Sequence, residues 1–177
     1  FSKARNFAFE KATKDFRMWL DADDVILDED IQKIKDLKQR LTLDVDIVLM
    51  KYHTAFDQDE NPIFTYYRER LINANSHLKW QGVIHEVIPL IGKLQYEDIA
   101  ITHRKEHVAD LIVIIKYLKL IQKGVSFSPR EQFYYARELY YHQRYAEAID
   151  QFQAFLNGKQ GWIENNIDAC EMMGYCC

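Results

Sequence analysis

The sequence predicts an α/β domain followed by an all-α segment. Up to residue 123, amphipathic helical patterns alternate with runs rich in β-branched and aromatic residues, whereas only helical periodicity remains after Pro129. The stretch Gly-Val-Ser-Phe-Ser-Pro at residues 124–129 separates the two patterns and is typical of a linker. We therefore predict a first domain over residues 1–123, a linker over 124–129 and a helical segment over 130–177.

The first predicted strand ends in a cluster of carboxylates. The apolar run at residues 16–20 is followed by Asp21, Asp23 and Asp24. Carboxylates this close repel one another, and a cation among them relieves the repulsion. Oxygen ligands favour Mg²⁺ or Mn²⁺, ions that commonly hold a diphosphate. The alternative is a solvated loop in which Asp24 caps the next helix.

The other elements of the first domain follow from periodicity and turn residues. An amphipathic helix is predicted over residues 28–43, with Asp28 as its N-cap. Strands are predicted at residues 46–56, 63–72, 87–90 and 98–102, with a polar turn at 57–62. A helix over residues 106–123 is expected to close the domain.

The C-terminal segment predicts a helical hairpin over residues 131–142 and 145–156. Ala136 and Ala148 are small enough to let two helices approach closely. The spacing is similar to that of a tetratricopeptide repeat, whose period of about 34 residues places an equivalent of Ala136 near Cys170. A generic helical hairpin is the alternative.

The phrase ARNFAFEKATKDFRMWLDADDVI, at residues 4–26, resembles the middle of family 2 glycosyltransferases with the GT-A fold. In that family an A-R-N-x-A helix precedes the strand that delivers a metal-binding D-x-D. The resemblance implies an inverting transferase that uses Mn²⁺ or Mg²⁺ and a nucleotide sugar, with a UDP-sugar as the favoured donor. It implies Asp21 near the donor ribose, Asp23 as the main metal ligand and Asp24 as a further ligand.

The same resemblance bears on completeness. The family's nucleotide pocket is built by strands that precede this helix, so a chain that opens at Phe1 is expected to be a fragment of the parent enzyme, and by itself inactive.

The stretch from Trp80 to Glu86, WQGVIHE, falls where the family carries its catalytic base. Several bacterial members carry a similar W-x-G-x-V/I-H-E. The resemblance implies Glu86 as the base that takes a proton from the acceptor, with His85 as its neighbour or as the alternative base. Trp80 is expected to wall the donor site. On residue type alone, His85 reads as a buried and hydrogen-bonded residue.

Three basic residues complete the predicted site. Arg68 and Arg70 project to the same face of a strand, where they meet phosphate or an acidic acceptor, or else form ion pairs on a solvent face. His103 ends a strand, and some GT-A enzymes supply a late histidine as a metal ligand. A structural histidine is the alternative.

Composition bounds the partners and the location. A net charge of −4 gives no reason to expect nucleic acid, and no apolar run is long enough to span a bilayer. We predict a cytoplasmic, bacterial protein, with the inner face of the membrane as an alternative location. The acceptor is left open between a glycan, a lipid and a peptide or protein, and bare strand edges predict a homo-oligomer.

Two other functions remain open at this point. One is a helical-repeat interaction scaffold with a degenerate transferase domain. The other is a metal-dependent phosphoester hydrolase or nucleotidyltransferase.

Overall fold

The computed structural model describes residues 2–104 and 111–176. These residues form two compact units. The first, called the sheet unit below, comprises residues 3–81 and 87–104, and the second, the helical unit, comprises residues 82–86 and 111–176.

The described residues of the sheet unit form two α-helices, a short 3₁₀ helix (Ala74–Ser76) and five strands. The α-helices are α1 (Ser2–Lys11) and α2 (Asp28–Arg40). The strands are β1 (Phe16–Met18), β2 (Asp24–Val25), β3 (Ile47–Phe56), β4 (Pro62–Asn73) and β5 (Leu94–His103). This mixed α/β architecture is compatible with the predicted GT-A-like domain.

The five strands form one sheet in the order β1-β4-β3-β5-β2. Strands β3 and β5 pair in parallel, and the other neighbours are antiparallel. As a result β1 and β2, separated by only residues 19–23, lie on opposite edges of the sheet. Residues 19–23, called the crossing segment below, therefore pass the three central strands and carry the first two of the predicted carboxylates.

Two apolar clusters hold the helices to the sheet. Phe9 of α1 packs with Ile47 and Leu49 of β3 in one cluster, and Leu37 of α2 packs with Met50 in the other. All five side chains are buried. Burial of aliphatic and aromatic side chains contributes roughly 1.5–3 kcal/mol each, so these contacts fix the two helices on the sheet.

Local details of the sheet unit differ from the sequence prediction. Leu27, not Asp28, occupies the N-cap of α2, no side chain caps the helix, and Asp28 starts its first turn. No strand forms over residues 87–90, where the described chain has only a bridge between Gln81 and Val87. Pro89 lacks the N–H that a ladder requires, which accounts for the missing strand.

The helical unit contains the helices α3 (Leu111–Gln122), α4 (Pro129–Tyr141), α5 (Tyr145–Asn157) and α6 (Ile163–Tyr175). Helix α4 begins with a capping box between Ser128 and Glu131. Its Ala136 is fully buried against Ala148 and Phe152 of α5, as expected for closely packed helices.

Helix α3 belongs to the helical unit, although the sequence predicts it at the end of the first domain. Its Ile114 and Tyr117 are buried in the same apolar cluster as Phe133 of α4. The predicted start of this helix, at residues 106–110, lies outside the described residues. The repeat-like nature of α4 to α6 stays a prediction; in α6 the buried small residue is Ala169, next to an exposed Cys170.

Within the described part of the chain, no helix combines the length and the apolar character needed to cross a membrane.

Candidate functional site

The crossing segment ends in a tight turn made by its own carboxylates. The N–H of Asp24 donates to the carbonyl of Asp21 at 3.0 Å, and the N–H of Asp21 donates back to Asp24 Oδ2 at 3.0 Å. Asp24 then opens β2, where it pairs with His103 of β5. This pairing brings the two ends of the predicted metal site together across the sheet edge.

Asp24 is the fixed member of the carboxylate group. Its side chain and that of Arg70 are both fully buried, and Arg70 Nη1 donates to Asp24 Oδ2 at 2.8 Å. The hydroxyl of Tyr52 donates to Asp24 Oδ1 at 2.8 Å. Burial acts to raise the pKa of Asp24, but the hydrogen bonds from Asp21 and Tyr52 and the charge of Arg70 hold it below its usual value. The carboxylate is therefore ionised and held by donors from two strands.

Asp23, Asp24 and His103 form a group whose ligand atoms all lie within 4.8 Å of one another. His103 Nδ1 lies 3.3 Å from Asp24 Oδ1 and 3.5 Å from Asp23 Oδ1. Asp23 is the more open of the two carboxylates, with 42 % of its side chain exposed. Two carboxylates and one imidazole make a donor set that suits Mn²⁺ and tolerates Mg²⁺.

Asp21, the first predicted carboxylate, points away from this group. It forms an ion pair with Arg5 of α1 at 2.5 Å. The Arg5 guanidinium also lies over the rings of Trp19 and Trp80, at 5.1 and 4.6 Å from their centroids. Since its carboxylate is already paired, contact of Asp21 with a donor ribose stays a prediction.

The A-R-N phrase has a structural role that the sequence alone did not indicate. The side chain of Asn6 accepts from the N–H of Trp80 at 2.9 Å and donates to the Trp80 carbonyl at 3.0 Å. These two bonds hold α1 against the chain just before the predicted base.

Trp80 itself is only 3 % exposed and packs edge to face against Phe9 and Trp19. The ring belongs to the core of the sheet unit, and its role as the wall of a donor site stays a prediction.

Arg68 and Arg70 do share one side of β4, and both guanidinium groups lie near the ring of Trp19, at 5.2 and 3.9 Å. Arg70 is committed to Asp24, while Arg68 pairs with the buried Glu69 at 3.2 Å and keeps a quarter of its side chain exposed. Of the two, Arg68 is the one that solvent reaches.

The loop of residues 82–86 carries the predicted base and is enclosed by the Gln81–Val87 bridge. Gly82 adopts a φ of +96°, and a Cβ there would approach the His85 carbonyl to 3.1 Å, so this turn favours glycine. Glu86 is half-buried. The loop thus holds Glu86 in a defined turn.

His85 is packed into the helical unit. Its ring stacks on Tyr134 of α4 with a centroid separation of 4.3 Å. Burial, reinforced by the positive charges of Arg137 and Arg130, lowers the pKa of His85 to about 4. The imidazole is therefore neutral at physiological pH. Its Nε2 is buried without a hydrogen-bond partner among the described residues, which differs from the hydrogen-bonded histidine expected from residue type alone.

An open cleft of about 760 Å³ adjoins the metal group on the His103 side of the sheet unit. Its lining includes Lys51, His53, Phe56 and Arg104. The cleft gives a substrate room beside His103.

One contributor to this site, Tyr52, was not predicted, because it reads as an ordinary strand residue. Arg70 was predicted as a site residue, but nothing in the local pattern pairs it with Asp24, 46 positions away. Only the strand order reveals both contacts.

The family model of Glycosyl transferase family 2 matches residues 1–89, which is half of the chain. The matched range contains α1, the crossing segment, both arginines of β4 and the loop of residues 82–86, and it ends before His103. No curated protein matches the chain.

Proposed function

Because the chain belongs to glycosyl transferase family 2, we propose that it contributes the metal site and the base to an inverting transfer of sugar from a nucleotide-sugar donor, with a UDP-sugar as the favoured donor. The observation that carries this proposal is the convergence of Asp23, Asp24 and His103 within 4.8 Å. The acceptor, a glycan, a lipid or a peptide, is left open.

A divalent metal ion would be held by Asp23, Asp24 and His103. A divalent cation supplies charge stabilisation for the leaving diphosphate when it is bound. Arg70 and Tyr52 keep the Asp24 carboxylate ionised and oriented, which is the usual task of residues that contact a metal ligand. Asp23, on the open side, completes the group from a chain segment that the turn with Asp21 fixes.

Glu86 acts as the general base that takes the proton of the acceptor hydroxyl. His85 positions the loop through its stack on Tyr134, and its low pKa keeps it uncharged. His85 remains the alternative base. The two assignments differ in which substitution abolishes transfer: Glu86→Gln if Glu86 is the base, and His85→Phe if His85 is the base.

The first test is binding of Mn²⁺ to the chain, measured by calorimetry. Asp23→Asn is expected to weaken binding by at least about tenfold, since it removes a charged ligand. Asp59→Asn is the matched control, because it removes the same charge from an exposed aspartate on the turn between β3 and β4, outside the Asp23–Asp24–His103 group. Equal Mn²⁺ binding by both variants would remove the metal site from the proposal.

The second test is turnover of a panel of nucleotide sugars by the protein with Mn²⁺. Sugar release or transfer from one donor, lost in Asp23→Asn and in Glu86→Gln, supports the transferase. Cleavage of a nucleoside triphosphate or phosphoester without sugar transfer would instead support the hydrolase or nucleotidyltransferase. Metal binding without turnover of any substrate would favour the scaffold.

A further inference from the structure

Helix α4 carries two arginines that converge on one tyrosine. Arg130 and Arg137 are two helical turns apart, with Tyr134 between them. The guanidinium carbons lie 4.7 and 4.3 Å from the centroid of the Tyr134 ring. Because both guanidinium carbons lie this close to the centroid of one ring, their two charges act on the same region of the helix surface.

Among the residues that the structure describes, no ion pair matches the charge of this arginine pair. Neither Arg130 nor Arg137 forms a salt bridge with a residue in the described ranges, and the buried Nε atom of each lacks a hydrogen-bond partner there. The nearby carboxylates have other contacts: Glu131 closes the capping box with Ser128, and Glu138 lies 3.7 Å from His85 Nε2.

The positive field of the pair acts on its surroundings. Both arginines contribute to the low pKa of His85, which stacks on the same tyrosine. Two guanidinium groups that share one partly desolvated ring repel each other, and an anion between them reverses that repulsion. Forked N–H donors on planar cations match the two oxygens of a carboxylate or phosphate better than any other common group.

Space for the rest of such a ligand lies next to Arg130. A groove of about 360 Å³ in the helical unit is lined by Arg130, Asn165 and Trp162, whose side chain is two-thirds exposed. An exposed indole face beside a guanidinium suits a molecule with an anionic head and a flat or apolar body.

We propose that Arg130 and Arg137 form a binding site for an oxyanion, a phosphate or a carboxylate, carried by the acceptor. The assignment to the acceptor rests on the proposed function, whereas anion binding itself does not. The proposal adds a substrate class: acceptors with a negatively charged group bind better than neutral ones.

The test is titration of the chain with inorganic phosphate, pyrophosphate and succinate, followed by calorimetry at low ionic strength. Phosphate and succinate distinguish the two sources of the oxyanion. Arg130→Gln and Arg137→Gln are each expected to weaken binding of the preferred anion by about tenfold or more, since a hydrogen bond to a charged group is lost. Arg137→Lys keeps the charge but loses the fork, so it is expected to fall between wild type and Arg137→Gln.

Arg144→Gln is the matched control, because Arg144 lies in the same unit but already forms a bidentate pair with Glu147 at 2.6 and 2.7 Å. It is expected to leave anion binding unchanged, and circular dichroism of each variant verifies that the helices form. Absence of binding for all three anions, or equal binding by Arg130→Gln, Arg137→Gln and wild type, overturns the proposal. Because the readout needs neither donor nor metal, these results are independent of the Asp23→Asn test.

Discussion

Replacement of Arg70 by methionine tests the buried contact that fixes the metal-binding turn. Arg70 and Asp24 are both fully buried and are joined at 2.8 Å. Removal of Arg70 leaves the buried carboxylate of Asp24 without its charged partner. We expect this to lower the free energy of unfolding by about 3–5 kcal/mol. The arginine also lies 3.9 Å from Trp19 and 4.3 Å from Tyr52, and methionine retains most of that apolar contact.

The assay is urea unfolding followed by tryptophan fluorescence in a Trp162→Phe background. The chain has three tryptophans. Trp19 and Trp80 lie in the sheet unit, while Trp162 is in the helical unit and two-thirds exposed, so its replacement is inexpensive. In that background the fluorescence signal reports the sheet unit alone.

The stability lost in Arg70→Met is expected to depend on pH, because Asp24 titrates. A carboxylate whose pKa is lowered by folding stabilises the native state above its unfolded pKa, and this contribution is lost as the pH falls through the folded pKa. Without Arg70 the pKa of Asp24 rises, so the cost of Arg70→Met should shrink as the pH approaches 4, about the unfolded value. Adding Asp24→Asn should relieve part of the cost. A loss below about 1 kcal/mol, or strict additivity of the two substitutions, would refute this reasoning.

Three further predictions concern stability. Asn6→Ala removes both bonds to the Trp80 backbone and should cost about 1–3 kcal/mol in the same fluorescence assay. Gly92→Ala should cost more than about 1 kcal/mol there, because φ is +93° and a Cβ would overlap the Asp46 carboxylate. His85 has a pKa of about 4 in the folded protein and 6.5 when unfolded, so the unfolded chain binds the proton first as the pH falls. The stability of the helical unit should therefore decrease by up to about 3 kcal/mol between about pH 6.5 and pH 4, as measured by circular dichroism.

Each of these three has its own control. Lys3→Ala, on the exposed side of α1, should leave stability within about 0.5 kcal/mol. Gly124→Ala is the control for Gly92→Ala. Gly124 also has a positive φ, of 70°, but a Cβ there would meet no atom, so this variant measures the cost of the backbone strain without a steric overlap. His85→Phe should flatten the pH profile; an unchanged slope in that variant would assign the titration to another group.

The candidate metal ligands were suggested by two features of the sequence. The carboxylates that follow the first strand indicated Asp23 and Asp24, and the resemblance to GT-A enzymes indicated His103 at the end of another strand. The helical hairpin was likewise visible from periodicity, because Ala136 and Ala148 mark where two helices touch.

The remainder depends on which strands are neighbours, and no local pattern encodes that. The sequence left open whether Arg70 meets a phosphate or an acidic acceptor or forms an ion pair. It did not indicate Asp24 as the partner, because the two residues are brought together only through the order β4-β3-β5-β2. The burial of Trp80 likewise depends on Asn6, 74 positions earlier in the chain. Apolar residues such as Ile114 and Tyr117 predict that α3 is buried, but they do not indicate which of the two units buries it. The sequence prediction therefore assigned α3 to the domain that contains the sheet.

The positions of β1 and β2 also have a kinetic consequence. Strands β1 and β2 are neighbours in sequence but lie on opposite edges of the sheet, so they can join one sheet only when β3, β4 and β5 have assembled between them. Such pairings between distant parts of the chain raise the contact order and slow folding. The bond between Arg70 and Asp24 joins residues that are 46 positions apart, so forming it early would require closing a long loop at a large loss of chain entropy. We therefore expect the bond to form after β3 and β4 have paired as a hairpin. We expect Asp24 and His103 to meet late in folding, so the complete group of Asp23, Asp24 and His103 forms only once β2 has paired with β5.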